Sequence, residues 1–142
     1  MSRKSKSLLL LFVGFLMLVG CGGPAFQQWE SADVVEAFRA AGLECESTRP
    51  MEKADYGMAP MTAVEGTRFL VPSLGPDNGG RILRFENEAD LVRMRDYYVK
   101  AGEASAMLFS WVFVKDNIVV QINGDLPEEQ AKKYEAALNG LK

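Results

Sequence analysis

MLFSWVFVKDNIVVQIN, Met107 to Asn123, is the stretch that decides the fold. It holds two apolar runs dense in aromatic and branched residues, parted by Lys115-Asp116-Asn117, which suits a turn. Met107–Val114 reads as the strongest strand of the chain. Ile118–Asn123 reads as its return, with Ile118, Val120 and Ile122 alternating against Val119 and Gln121. Helices flank the pair. On the N-terminal side, Asn87 can cap a helix to about Ala101, stopped by Gly102, with Leu91, Met94, Tyr98 and Ala101 as its buried stripe. Glu88 and Asp90 suit the positive start of that helix. On the C-terminal side, Asp125-Leu-Pro-Glu128 resembles a capping box with an early proline. It opens a last helix whose Ala131, Tyr134, Leu138 and Leu141 share a face.

Further upstream lies a second hairpin. Thr67–Pro72 is strand-like, with Phe69 and Val71 on one face, and Arg81–Phe85 returns with Leu83 and Phe85 inward. Between them SLGPDNGG, Ser73 to Gly80, is turn chemistry throughout. Ser31–Ala41 reads as the first helix, with Ser31 as cap, Val34, Val35, Phe38 and Ala41 on one face, and Gly42 as its stop. Leu43–Ser47 reads as a short strand. Residues 48–66 lack periodicity and carry Pro50, Gly57, Pro60 and Gly66, which reads as a long loop. The order is thus α-β-β-β-α-β-β-α. Paired hairpins rather than alternating βα units imply an α+β fold, an antiparallel sheet packed by helices in a single domain. A duplicated α-β-β unit is conceivable, but no repeated residue pattern supports it.

The first 21 residues follow different rules. Arg3, Lys4 and Lys6 form a basic end, Leu8 to Val19 an apolar run, and Leu18-Val19-Gly20-Cys21 a small-residue exit. The run falls short of the roughly 20 residues that span a bilayer, so a cleaved leader is the better reading than a permanent helix. Leu18-Val19-Gly20-Cys21 resembles the lipobox of bacterial lipoproteins, and its place directly behind a basic and apolar leader makes the likeness specific. An ordinary secretory leader with a chance cysteine is the competing reading. The resemblance implies cleavage between Gly20 and Cys21, a diacylglyceryl group (palmitate among its acyl chains) on the Cys21 thiol, and anchoring in a membrane of the cell envelope. Two or three acyl chains exceed the one-chain limit of marginal binding. The expected organisation is a signal peptide over 1–20, a lipid-anchored tether over 21–30 that begins Gly22-Gly23-Pro24, and one globular domain over 31–142.

Charge narrows the partners. The 142-residue chain has 16 Lys and Arg against 19 Asp and Glu, and losing the leader's three basic residues makes it more acidic still. Nucleic acid is not expected, because its affinity comes from basic residues that neutralise phosphates. A polybasic second grip on anionic lipid is not expected either.

The chain has no histidine, which removes the commonest general base and metal ligand together. Once Cys21 is acylated, Cys45 is the remaining thiol. It has no imidazole to activate it, and Glu44 and Glu46 beside it oppose a thiolate, so it reads as a small packing residue. The glycine-rich Gly75–Arg81 precedes a strand rather than a helix and lacks the field of a phosphate loop. The loop over 50–66 is the unusual segment. Its Met51, Tyr56, Met58 and Met61 form a candidate contact for a partner or ligand, or pack on the sheet. No catalytic constellation, resident metal or cofactor is expected. The exported domain resembles lipoprotein domains with no assigned activity. The reading that follows is a small non-catalytic binding or accessory domain at the envelope, with another envelope protein as one candidate partner. The alternatives are a histidine-independent cell-wall hydrolase working with carboxylates, and Cu(I) binding through methionine thioethers.

Overall fold

The computed structural model describes Phe26 and residues 29–142. The expected leader over 1–20, the expected cleavage position at Gly20 and Cys21, and most of the expected tether lie outside the described residues. The fold is mixed helix and strand, one antiparallel sheet of five strands with four α-helices among the described residues. Helix α1 is Ser31–Ala40, β1 Glu46–Pro50, α2 Lys53–Tyr56, β2 Glu65–Leu70 and β3 Gly79–Arg84. Then follow α3 Glu88–Ala104, β4 Ser110–Lys115, β5 Ile118–Asn123 and α4 Glu128–Asn139.

The decisive hairpin forms around Asp116-Asn117, but its first strand is shorter than the sequence suggests. The ladder runs from Lys115 opposite Ile118 to Ser110 opposite Asn123, and β5 ends there. Met107 and Leu108 therefore have no strand to pair with. They turn into a single 3₁₀ turn, Ala106–Leu108, and stand exposed.

The other hairpin shifts the opposite way, since β2 and β3 each begin two residues earlier than expected. Gly79 and Gly80, read as turn residues, are ladder residues opposite Leu70 and Phe69. A Cβ on Gly80 would stand 2.5 Å from the Phe69 ring and 2.5 Å from the Gln121 carbonyl oxygen. Glycine is needed there to admit a neighbour's ring, not to bend the chain. The strand expected at Leu43–Ser47 also slides, to Glu46–Pro50, leaving Cys45 just ahead of it. The expected long loop over 48–66 is partly structured: β1 runs into it, and α2 adds one helical turn.

Strand order is β1-β2-β3-β5-β4. Helix α3 carries the chain from β3 past the next position to the edge strand β4, and β5 folds back into the gap. Helices cover both faces. On one, α1 and α4 pack on each other and place Val34, Phe38, Tyr134 and Leu138 against Phe69, Ile82, Val120 and Ile122. The Phe38 and Tyr134 rings meet edge to face at 5.0 Å. On the other face, α3 sets Leu91, Met94 and Tyr98 against Leu83, Phe85 and Val119. Strands β3 and β5 are therefore buried from both sides. That is why Val119 and Gln121 are as hidden as Ile118 and Val120, although half-burial would have exposed them.

Helix ends differ from expectation in three places. Asn87 does cap α3, its side chain accepting the Asp90 N–H at 2.9 Å, but the helix continues through Gly102 to Ala104. A Cβ at Gly102 would lie 3.3 Å from Phe109 Cα, so this glycine serves close packing. Glu30 rather than Ser31 caps α1, with the Asp33 carboxylate accepting the Glu30 N–H at 2.9 Å, and Ala41 falls just past the helix. Pro127 precedes α4, and Asp125 forms no capping box; its N–H donates to Asn123 Oδ1 at 2.8 Å in the turn.

The end of the expected tether is held down. Trp29 donates its backbone N–H to Asn117 Oδ1 at 2.7 Å and its indole N–H to Asp116 Oδ2 at 2.8 Å. Asn117 returns a bond to the Trp29 carbonyl at 3.0 Å. The chain thus enters α1 pinned to the tip of the β4–β5 hairpin. No helix among the described residues is long and apolar enough to cross a membrane.

Candidate functional site

Strand periodicity sends alternate residues to one face, and register decides which of them become neighbours. Here the register aligns Arg49 of β1 with Arg68 of β2, Arg68 with Arg81 of β3, and Arg81 with Gln121 of β5. Three guanidinium groups therefore stand side by side on the face that α3 and α2 cover. Like charges placed opposite one another across strands destabilise a sheet unless something answers them. Asp55 of α2 supplies part of the answer. Its carboxylate accepts Arg49 at 2.6 and 2.8 Å and lies 3.7 Å from Arg68 Nε. Its carbonyl accepts Arg81 Nε at 2.8 Å. The hydrogen bond from Arg49 holds the Asp55 carboxyl down at about 2.

Glu52 and Asp77 add a weaker attraction to Arg49 and Arg68 respectively. Burial and the neighbouring Arg81 both push Arg68 below its usual value. Arg68 donates one Nη to the Asp77 carbonyl, and Arg81 donates Nη1 to Gln121 Oε1 at 2.6 Å. A guanidinium has five N–H donors, so each keeps unused ones, among the described residues.

Arg68 and Arg81 lie on the floor of a cleft of 490 Å³ between the sheet and the end of α3. The 3₁₀ turn at Ala106–Leu108 and Phe109 form one wall, Asn78 and Asn123 another, and Tyr97 and Tyr98 the roof. Two hydroxyls in this lining are buried without a hydrogen-bond partner among the described residues, Tyr98 Oη and Ser110 Oγ. Tyr98 is 9% exposed, and its burial raises its phenol above the usual value. Leaving such a group unpaired costs about 1–3 kcal/mol, which makes the pair a feature that needs a reason. Asp77 and Asp125 stand exposed at the mouth.

A larger depression of 730 Å³ lies on the opposite face, between α1 and the β1–β2 edge. It is more open and less polar. Three of its charged groups are already engaged: Arg39 binds the Cys45 carbonyl at 2.9 Å, Arg49 binds Asp55 at 2.6 Å, and Glu65 binds Arg84 at 3.0 Å. The chemistry gathers in the smaller cleft.

The residues singled out in the 50–66 loop are divided. Met51 and Tyr56 pack against the α3-side core and converge over Gly66, where a Cβ would meet Tyr56 Oη at 2.7 Å and Met51 Sδ at 2.9 Å. Met58 and Met61 are 87% and 57% exposed. None of the four lines the cleft, although Asp55 from the same segment holds its arginines. Cys45 is fully buried. The cleft's own residues escaped the sequence reading. The available signal was an arginine in each of three strands, Arg49, Arg68 and Arg81, but only the register shows that they meet.

No protein-family model matches the chain, no curated protein matches it, and no solved structure matches it.

Proposed function

We propose that this protein is a lipid-anchored lipoprotein of the bacterial cell envelope whose exported domain is a small, non-catalytic binding module, with the cleft under the end of α3 as its binding site. The observation that carries the binding role is the pair of buried, unpartnered hydroxyls, Tyr98 and Ser110, beside guanidinium groups with spare donors. A folded domain tolerates such groups where a bound molecule completes them. The anchor rests on the leader and on Leu18-Val19-Gly20-Cys21.

Two experiments test the two halves. Cys21→Ser should leave a precursor that is neither lipidated nor cut; a cleaved form retained normally on washed membranes would overturn the anchor. For the binding role, the isotope-labelled full chain in detergent micelles is screened by NMR against small polar molecules. Shifts should converge on Arg81, Tyr98, Gln121 and Asn123. Shifts that gather instead on Met58 and Met61 would move the site to the loop.

One feature favours a second reading. Asp77 and Asp125 both line the cleft, which supplies the two carboxylates that a glycan hydrolase needs. Peptidoglycan turnover by the wild-type chain, lost in Asp77→Asn or Asp125→Asn, would establish a hydrolase in place of a binding module.

A further inference from the structure

The cleft's lining also specifies what it takes. We propose that it binds a small organic anion, one carboxylate or phosphate group seated on Arg68 and Arg81, with the polar body of the molecule hydrogen-bonded to Tyr98, Ser110 and Asn123. This rests on the reading of the cleft as a binding site and adds the chemical class of its ligand.

The arginine pair sets the position of the charge. Arg68 and Arg81 are cross-strand neighbours, so their free N–H donors converge on one region of the floor. Carboxylate and phosphate oxygens match such forks better than any neutral group does. Asp55 holds Arg49 and part of Arg68 from behind, and Gln121 fixes Arg81 from the side through the 2.6 Å bond to Nη1. These bonds fix the guanidinium groups in place before a ligand arrives, which lowers the ordering cost of binding.

The rest of the lining sets size and polarity. A volume of 490 Å³ suits a molecule of metabolite size. Among the described residues Tyr98 Oη and Ser110 Oγ lack partners, and Asn123 keeps a second amide hydrogen beside the one it donates to Asn78 Oδ1 at 3.2 Å, so the body of the ligand carries hydroxyl, carbonyl or amide groups. Phe109 and Leu108 offer an apolar wall for one edge. Asp77 and Asp125 at the mouth repel negative charge beyond the group seated on the arginines, so a molecule with a single anionic group, or a zwitterion with its cationic end outward, fits best. Polyphosphates and nucleic acid are disfavoured by the same two carboxylates.

The test titrates the labelled full chain in micelles with matched probes: N-acetylalanine and its neutral amide, and glycerol phosphate and glycerol, at physiological salt. One or both anions should saturate with shifts at Arg68, Arg81 and Tyr98, and their neutral counterparts should bind roughly tenfold more weakly or worse. The responding pair tells carboxylate from phosphate. Tyr98→Phe should weaken the anion severalfold while leaving the melting temperature unchanged or higher, because it removes a buried hydroxyl that has no partner in the free protein. Arg68→Gln should abolish the charge preference. Equal affinity for charged and neutral probes at the cleft would overturn the anion assignment and leave the binding module standing. No saturable shift at the cleft from any of the four would overturn both.

Discussion

Cys45 and Asp55 lie within a few residues of the same edge strand, and their environments push them in opposite directions. Burial drives the Cys45 thiol up to about 11, against a smaller opposing pull from Arg39. The thiolate is the reactive form, so at neutral pH the native protein should react with a maleimide or disulfide reagent roughly a hundredfold more slowly than an exposed thiol does. Thiol release should track unfolding across a denaturant series; fast labelling of the native protein would contradict the buried setting. Asp55 is held at about 2, well below the usual carboxylate range, by its bond from Arg49. A depressed acid favours the native state while it stays ionised. Its contribution is therefore complete above about pH 4 and is lost as pH falls through about 2. Asp55→Asn should lower the denaturant midpoint at pH 7, and its stability should fall less steeply than wild type between pH 4 and 2. The carboxylate also answers Arg49 and Arg68, so this variant should move the resonances of the cleft floor as well.

Helix α3 does two jobs: it closes the second core and it roofs the cleft. Its start depends on Asn87, whose side chain accepts the Asp90 N–H, and whose amide also donates to the Asp90 carboxylate at 2.8 Å. Asn87→Ala should cost about 1 kcal/mol of unfolding free energy, read from chemical denaturation, with the cleft geometry intact. Strand β3 is the more brittle element. A methyl group at Gly80 would collide with the Phe69 ring and with the backbone oxygen of Gln121, and the second cannot move without breaking the ladder to β5. Gly80→Ala should destabilise by about 2 kcal/mol or more, well above a surface glycine change, and should weaken amide protection along β3 and β5 together. An unchanged melting curve would show that the sheet opens there at little cost. The sequence reading of this element failed for an instructive reason: Gly and Asn are favoured in turns, but glycine is also what a strand uses beneath a cross-strand aromatic ring.

At the scale of the whole molecule, the sheet is a partition between two cores that share β3 and β5. Phe69 on one face and Leu83 on the other are both fully buried. Truncating either to Ala should cost about 2–5 kcal/mol. Because the strands between them are common, fluorescence and far-ultraviolet dichroism should report one coincident transition in both variants, and separated transitions would show the two layers to be independent. The sequence by itself determined the α+β class, the order of the principal elements, the β5 boundaries and the buried stripes of α1, α3 and α4 up to their last expected members, for Ala41 is exposed and Ala101 and Leu141 are half-buried. Those follow from local periodicity, which each segment carries within itself. It also carries the basic and apolar start and the Leu18-Val19-Gly20-Cys21 run on which the proposed anchor rests. Tertiary structure alone decided which strands lie side by side, that helices cover both faces of the sheet, and that α2 sets Asp55 against arginines from separate strands. It alone decided that Met51 is buried while Met58 is exposed. Above all it decided the cleft: Arg49, Arg68, Arg81 and Gln121 are scattered along the chain, and only the ladder register makes them neighbours. Register is fixed by pairing between distant segments, and no local pattern records it.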